Sequence, residues 1–176
     1  MKVLVTYFSQ TGNTEQIARA IHEEASICSS AHLKKTDEIS PSQLNGYDLV
    51  FIGSPCHAGT LADPVRALLD GILDNSSFHL SGFVTHASSF YNEADYQSCM
   101  IYLGSLCRKK GISYHGCFEC QGRLAPRLHD FIKKSKHISD DEWARVVTQM
   151  ERHPDGEDLE HARDFARGII KKFQLD

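Results

Sequence analysis

A run of hydroxyl and amide side chains follows the first apolar stretch of the chain and could bind an anion. The run consists of Ser9, Gln10, Thr11, Gly12, Asn13 and Thr14. It contains no Lys or Arg. An anion bound here would therefore rest on hydroxyl groups, on backbone N–H groups and on the partial positive charge at a helix N-terminus. A phosphate group fits that description.

This run differs from two other kinds of phosphate-binding loop. A P-loop would need Gly-Lys-Ser/Thr, and a dinucleotide-binding loop would need G-x-G-x-x-G, whereas Gly12 stands alone. The sequence therefore disfavours nucleoside triphosphates and NAD at this loop. An ordinary N-capped helix after a buried strand stays open as an alternative, because clusters of Ser and Thr also cap helices.

Two later segments have the same character, since each follows an apolar run and is rich in small or hydroxyl residues. The first consists of Ser54, Pro55, Cys56, His57, Ala58 and Gly59. The second contains His86, Ala87, Ser88, Phe90 and Tyr91. The two aromatic side chains could stack on a flat ring, although Phe90 could instead pack into the core with Tyr91 covering it. His57 could cover the same ring or lie in solvent.

Other kinds of site have no support in the sequence. There is no Ser-His-Asp arrangement and no cluster of metal ligands, so we expect neither catalytic residues nor a metal site. The six cysteines are scattered through apolar segments, which predicts reduced, buried thiols. Cys117 and Cys120 fall on a predicted strand, where residues three apart point to opposite faces, so they should share neither a disulfide nor a metal.

Strands and helices alternate along the chain. Strands are predicted at about 2–8, 32–39, 49–53, 82–87 and 112–121. Helices are predicted at about 14–27, after an N-cap at Asp63, between Asn92 and Gly111, and at about 157–173. Alternation of this kind predicts a parallel sheet with helices on both faces, and ligands of such sheets bind beyond the carboxyl ends of the strands. The three polar segments would meet there.

The chain length of 176 residues predicts a single domain over 1–176. One part of it has no place in the alternating pattern. The segment at about 133–153 contains helical spacing around Trp143 and looks like an insertion before the final helix.

The first loop resembles the phosphate loop of the flavodoxin family. The matching pattern is Val5-x-Tyr7-x-Ser9-x-x-Gly12-x-Thr14-x-x-x-Ala18-x-x-Ile21, with a departure at Thr6, where the family prefers an apolar residue. The resemblance implies an α/β, doubly wound, five-stranded parallel sheet of order 2-1-3-4-5. It also implies FMN as cofactor, with the phosphate in the first loop and the isoalloxazine between the other two. The family often has a large apolar residue where this chain has Cys56-His57-Ala58.

The resemblance further implies how residues around the ring would act. A backbone carbonyl of the 57–58 or 58–59 peptide would accept the N5–H of the flavin. Gly53 and Gly59 would permit close approach of the backbone to the ring. A protonated His57 would stabilise the anionic reduced ring.

Three functions are compatible with this site. The first is a flavodoxin-like carrier that passes low-potential electrons between redox partner proteins. The second is an enzyme on the same fold, an NAD(P)H-dependent FMN or quinone reductase. The third is a binding module without cofactor, which the hydroxyl-rich loop disfavours because receiver domains have carboxylates at their strand ends where this chain has Ser9 and Ser54.

Charge and hydropathy limit the partners. A net charge of −4 with no clustered basic face predicts no binding of nucleic acid. No apolar run reaches the length of a membrane span, and Met1-Lys2 leads directly into a strand, so we expect a cytoplasmic protein without membrane insertion. The mild acidity would suit docking on basic partners.

Overall fold

The computed structural model describes residues 1–91 and 94–174, apart from the side chains of Ser89, Tyr91 and Gln174. Its strands are β1 (Lys2–Tyr7), β2 (Ser30–Lys35), β3 (Leu49–His57), β4 (Thr60–Leu61), β5 (His79–His86) and β6 (Tyr114–Gln121). Its helices are α1 (Asn13–Cys28), α2 (Asp63–Asp70), α3 (Tyr96–Lys110), α4 (His129–Ser135), α5 (Asp140–Met150) and α6 (Gly156–Gln174).

Five of these strands form a parallel sheet in the order β2-β1-β3-β5-β6. The short β4 lies off this sheet and pairs antiparallel with the end of β3. When β4 is left out of the numbering, the order is 2-1-3-4-5. The predicted fold class and strand order are therefore confirmed.

The sheet is covered on both faces, and the alternation of side chains along each strand assigns them to two cores. Val50 and Ile52 of β3 pack with the buried residues of α2 and α3 on one face. Leu49 and Phe51 pack with α1 and α6 on the other face. A strand buried on both sides reads as one continuous apolar run, which is why β3 was recognisable in the sequence.

The cysteines follow the same two-sided pattern. All six are free thiols. Cys117 packs against the α2 and α3 side of the sheet and Cys120 belongs to the α1 and α6 side. The prediction that these two point to opposite faces is confirmed. Cys28 is exposed, so the expectation of buried thiols is wrong for that residue.

Several predicted boundaries were wrong for local reasons. β2 ends at Lys35 because a 3-10 turn begins at Thr36, closed by the Lys35 N–H donating to the Glu38 carboxylate at 2.7 Å. β3 runs on to His57 because β4 pairs with its end. Asp63 is the first residue of α2 and not its N-cap. The predicted cap at Asn92 lies outside the described residues, whereas Gly111 ends α3 at φ +66° as predicted.

Gly53 lies in the middle of β3, and a neighbouring side chain occupies the space beside it. A Cβ at this position would lie 2.1 Å from Cε2 of the Phe83 ring. The expectation that Gly53 allows a ligand ring to approach the backbone is therefore wrong, because the buried Phe83 already fills that space.

The segment between β6 and α6 packs onto the carboxyl edge of the sheet. Trp143, Val146 and Met150 of α5 form a small core, which we call the Trp143 cluster. The cluster also takes in Ala87 and Phe90 from the segment after β5, and Ile132 from α4. The α4 and α5 helices thus stand beside the predicted site. Among the described helices, none has both the length and the apolar character that crossing a bilayer requires.

Candidate functional site

The loop after β1 is a tight turn that leads directly into α1. Gly12 has φ +86°, in the left-handed region that favours glycine. The Ser9 hydroxyl accepts the Gly12 N–H at 3.1 Å, and the Gly12 carbonyl accepts the Gln16 N–H at 3.1 Å. The first turn of α1, whose N–H groups have no partner within the helix, therefore starts at the carboxyl edge of the sheet.

A buried hydrogen bond ties this helix start to the neighbouring strand. Thr14 Oγ1 lies 2.8 Å from Thr85 Oγ1, and both residues are buried. Thr85 belongs to β5, so the bond fixes the spacing between the first and third polar segments. The Thr14 hydroxyl thus has a structural role inside the wall of the site.

A cation also lies beside the loop, contributed by the chain just after β6. The Asn13 amide donates to the Arg123 carbonyl at 2.8 Å, and Arg123 Nε donates to Asn13 Oδ1 at 3.3 Å. Gly122 makes this approach possible, since a Cβ there would lie 2.8 Å from Asn13 Nδ2. The loop itself contains no Lys or Arg, and Arg123 adds a positive charge beside it that the loop sequence alone does not reveal.

A cavity of about 580 Å³ opens at this edge of the sheet. Ten predicted residues line it: Gln10, Thr11, Asn13, Pro55, Cys56, His57, Ala58, His86, Ala87 and Ser88. The remaining wall comes from Thr85, Asp95 and the segment from Arg123 to Lys136. Residues from all three predicted segments therefore meet around one space, and the chain between β6 and α5 closes its far side.

Other predicted residues lie behind the cavity wall. Ser54 is buried and its hydroxyl accepts the Ala62 N–H at 2.9 Å, at the start of α2. Ser9, Gly12, Thr14 and Gly59 shape the turns and do not line the cavity. Phe90 packs in the Trp143 cluster, with its ring centroid 5.8 Å from that of His153. Of the two predicted alternatives, Phe90 therefore follows the one in which it packs into a core. The Tyr91 side chain lies outside the described part of the structure.

The second segment forms a two-residue hairpin turn between β3 and β4. Ala58 has φ +50° and Gly59 has φ +80°, the combination of a type I′ turn. The His57 carbonyl accepts the Thr60 hydroxyl at 2.8 Å. Ala58 is held in a conformation that costs a residue with a Cβ about 1 kcal/mol.

Replacing Ala58 with glycine should therefore stabilise the protein. We expect the free energy of unfolding to rise by about 0.5 to 1 kcal/mol, because glycine reaches positive φ without strain. Urea denaturation followed by circular dichroism measures this. Gly59→Ala is the matched opposite change and should destabilise by a similar amount. Equal effects of the same sign would contradict the turn geometry.

His57 lines the cavity and is exposed, as in the alternative in which it lies in solvent. Partial desolvation lowers the pKa of His57; Asp63 opposes this effect and the positive charge of Arg127 adds to it. Because the ordinary pKa is about 6.5, the ring carries no charge at neutral pH. A protonated His57 beside a bound ring stays a prediction, which the lowered pKa in the protein without ligand does not favour.

His86 is fixed in the opposite wall by contacts on every side. Its Nε2 lies 2.6 Å from the Glu119 carboxylate and its Nδ1 lies 3.3 Å from the Ser88 hydroxyl. Its ring stacks on Tyr96 with centroids 3.8 Å apart. The residue is buried, so it offers the cavity a rigid surface.

Cys56 lines the cavity and packs against the buried core that contains Cys99. The Cys99 thiol donates to the Cys56 sulfur, which lowers the pKa of Cys56 and raises that of Cys99. Burial and the carboxylate of Asp95 oppose the ionisation of Cys56, whereas the Gly59 backbone favours it. Asp95 Oδ1 is itself buried and accepts a hydrogen bond from none of the described residues.

Cys56 should accordingly react as a thiolate at lower pH than an ordinary cysteine. In a Cys28→Ser background, which removes the exposed thiol, we expect iodoacetamide to label Cys56 first. Cys99→Ala should move the midpoint of the rate-versus-pH curve upward by removing the donor. Peptide mapping by mass spectrometry identifies the labelled residue. Preferential labelling of Cys107, whose pKa burial raises to about 11, would contradict this assignment.

The sequence of this chain is similar to a known family of proteins. A family model described as a flavodoxin domain matches residues 4–167. The flavodoxin-like domain-containing protein BilS of Clostridioides difficile is 29% identical over 99% of both chains. The uncharacterized protein MJ0298 of Methanocaldococcus jannaschii is 27% identical over 97% of this chain and 99% of its own.

Solved structures agree on the fold. Oxidised flavodoxin 2 of Bacillus cereus superposes with a TM-score of 0.70 at 17% identity, covering 98% of this chain and 99% of that one. A short-chain flavodoxin associated with a bacterial microcompartment gives a TM-score of 0.70 at 14% identity and covers 98% of both chains. The match of the family model over most of the sequence, on a parallel sheet with the polar loops at its carboxyl edge, shows that this chain belongs to the flavodoxin domain family.

Proposed function

We propose that the protein binds FMN in this cavity and carries electrons between redox partner proteins. One observation carries the proposal: the N-terminal turn of α1 and the two other polar segments surround a single space of about 580 Å³. That volume lies within the range of small-molecule sites in proteins, about 300 to 1,000 Å³. Membership of the flavodoxin domain family supports it.

The phosphate would bind at the start of α1. Gln10, Thr11 and Asn13 line this end of the cavity, beside the start of α1, where a helix favours an anion. Arg123 adds a full positive charge there, held in place by Asn13. With Arg123, the site would bind a phosphate more strongly than the uncharged loop that the sequence alone predicts. Hydrogen bonds between charged groups are about twice as strong as neutral ones.

The ring would lie between the second and third segments. His86 provides a fixed wall, and the unpartnered Asp95 Oδ1 provides an acceptor that calls for a donor from a ligand. The carbonyl of His57 already accepts the Thr60 hydroxyl, which favours the Ala58 carbonyl as the acceptor for a ring N–H. When bound, FMN supplies one-electron and two-electron redox chemistry, and these residues orient it and tune its charge.

A spectroscopic titration tests the proposal. Apoprotein titrated with FMN should quench flavin fluorescence at one equivalent, and riboflavin should bind more weakly because it lacks the phosphate. Anaerobic photoreduction of the complex should then proceed in two separate one-electron steps.

The competing function has a distinct signature. Rapid bleaching of the bound flavin by NADPH or NADH in a single two-electron step would favour the reductase over the carrier. Failure to bind FMN at micromolar concentrations would overturn the proposal altogether.

A further inference from the structure

The α4 helix and the residues that flank it present a mixed apolar and basic surface beside the cavity. We call it the α4 face and define it as Arg127, Leu128, Phe131, Lys134 and Lys136. Phe131 is 66% exposed and Leu128 is 38% exposed. The three cationic residues are also exposed. All of these except Lys134 border the cavity.

The exposure of Phe131 does not come from a loosely attached helix. Ile132 of α4 packs in the Trp143 cluster, and the His129 ring meets Trp143 edge-on at 5.6 Å. His129 Nε2 also lies 3.3 Å from the Leu124 carbonyl. The helix is thus anchored through one side, while Leu128 and Phe131 are left for another molecule to cover.

The charge of this region is opposite to that of the whole chain. Between Arg123 and Lys136 the sequence has five Lys or Arg residues and one acidic residue, Asp130, whereas the net charge of the protein is −4. Lys133 pairs with Asp140. Asp95 is the single acidic residue among the described residues that line the cavity. A partner approaching the cavity therefore meets positive charge.

We propose that the α4 face is the docking surface for an acidic redox protein. Leu128 and Phe131 form its apolar centre and Arg127, Lys134 and Lys136 form its charged rim. An apolar centre with a polar rim is the usual anatomy of a protein interface, and complementary charge speeds encounter and fixes orientation. The inference rests on the proposed function and reverses the expectation, drawn from net charge, that the partners are basic.

Two redox proteins of opposite charge serve as probes. An acidic [2Fe–2S] ferredoxin, added to the FMN-loaded ¹⁵N-labelled protein at low salt, should shift amide signals of residues 123–136. Basic cytochrome c should leave those signals unchanged. Raising the salt concentration should weaken ferredoxin binding, since exposed charges are screened within about 10 Å at 0.1 M salt.

Matched variants separate the contributions of charge and apolar area. The double variant Arg127→Gln/Lys134→Gln should weaken ferredoxin binding about fivefold, and Phe131→Ser should do so about threefold, in the range measured for exposed interface groups. Arg108→Gln/Lys109→Gln and Ile101→Ser change the same residue types on the exposed side of α3. These controls should change the affinity less than twofold.

Several outcomes would overturn the proposal. One is tighter binding of cytochrome c than of ferredoxin at residues 123–136. Another is a loss of ferredoxin affinity in the α3 control variants as large as the loss in the α4 face variants. A third is cosedimentation with phosphatidylglycerol vesicles that responds to the same variants, which would assign the face to a membrane surface. FMN affinity is measured for each variant in parallel, and the signal mapping is repeated on the protein without flavin, so that a failure of cofactor binding is recognised separately.

Discussion

Replacing Arg123 with glutamine is expected to weaken FMN binding by about 10-fold to 100-fold and to leave riboflavin binding almost unchanged. The guanidinium lies beside the helix start through its bond to Asn13 Oδ1, where the phosphate would bind. Hydrogen bonds to a charged group contribute about 1.5 to 3 kcal/mol, which corresponds to that range of affinity. Fluorescence titration with both ligands measures the difference.

The comparison of the two ligands makes this experiment specific. Arg108→Gln, which removes an exposed cation at the end of α3, is the matched control and should have no effect on either ligand. A parallel loss of FMN and riboflavin affinity in the Arg123 variant would indicate a disturbed cavity and not a lost phosphate contact. Unchanged FMN affinity would show that the phosphate lies elsewhere.

Gly53→Ala is expected to lower the free energy of unfolding by about 3 kcal/mol. Its new methyl group would lie 2.1 to 2.8 Å from three atoms of the Phe83 ring. The ring is buried in the α1 and α6 core and has no free space to move into, and overpacking of this kind costs about 1 to 3 kcal/mol or more. Chemical denaturation followed by circular dichroism measures the change.

A second substitution tests the cause. In the double variant Gly53→Ala/Phe83→Leu, the leucine lacks the ring atoms that meet the methyl group. The double variant should therefore lose less stability than the two single variants lose in sum. Gly168→Ala is a control in α6, where a Cβ meets no atom within 4 Å. It should stabilise the protein by about 1 kcal/mol through helix propensity. A loss below 1 kcal/mol for Gly53→Ala would contradict the packing described.

The sheet could be predicted because each of its signals is local. The apolar run at 49–52 indicates a strand buried on both faces, and the alternation of strands and helices restricts the order of a parallel sheet. The polar segments at 9–14 and 54–59 were recognisable because each directly follows an apolar run. Strand ends that lie at one edge must be close together whatever the rest of the chain does.

The features of the site that could not be predicted depend on contacts between distant parts of the chain or on unusual backbone angles. Arg123 is 110 residues from Asn13, and the available signal was its position directly after the last strand, at the same edge. Phe90 follows a strand as a ligand-stacking residue would, but the Trp143 cluster provides a core for it. The hairpin at 58–59 requires positive φ at an alanine, which sequence preferences argue against.

The Trp143 cluster gives the protein an internal optical probe. Trp143 is the sole tryptophan of the chain, so emission excited at 295 nm arises from the α4 and α5 region, whereas far-ultraviolet circular dichroism reports on the whole sheet and its helices. If the tryptophan emission changes at a lower temperature than the circular dichroism signal, the edge of the cavity opens before the sheet melts. Coincident curves would mean that the region beside the cavity shares the cooperativity of the entire fold.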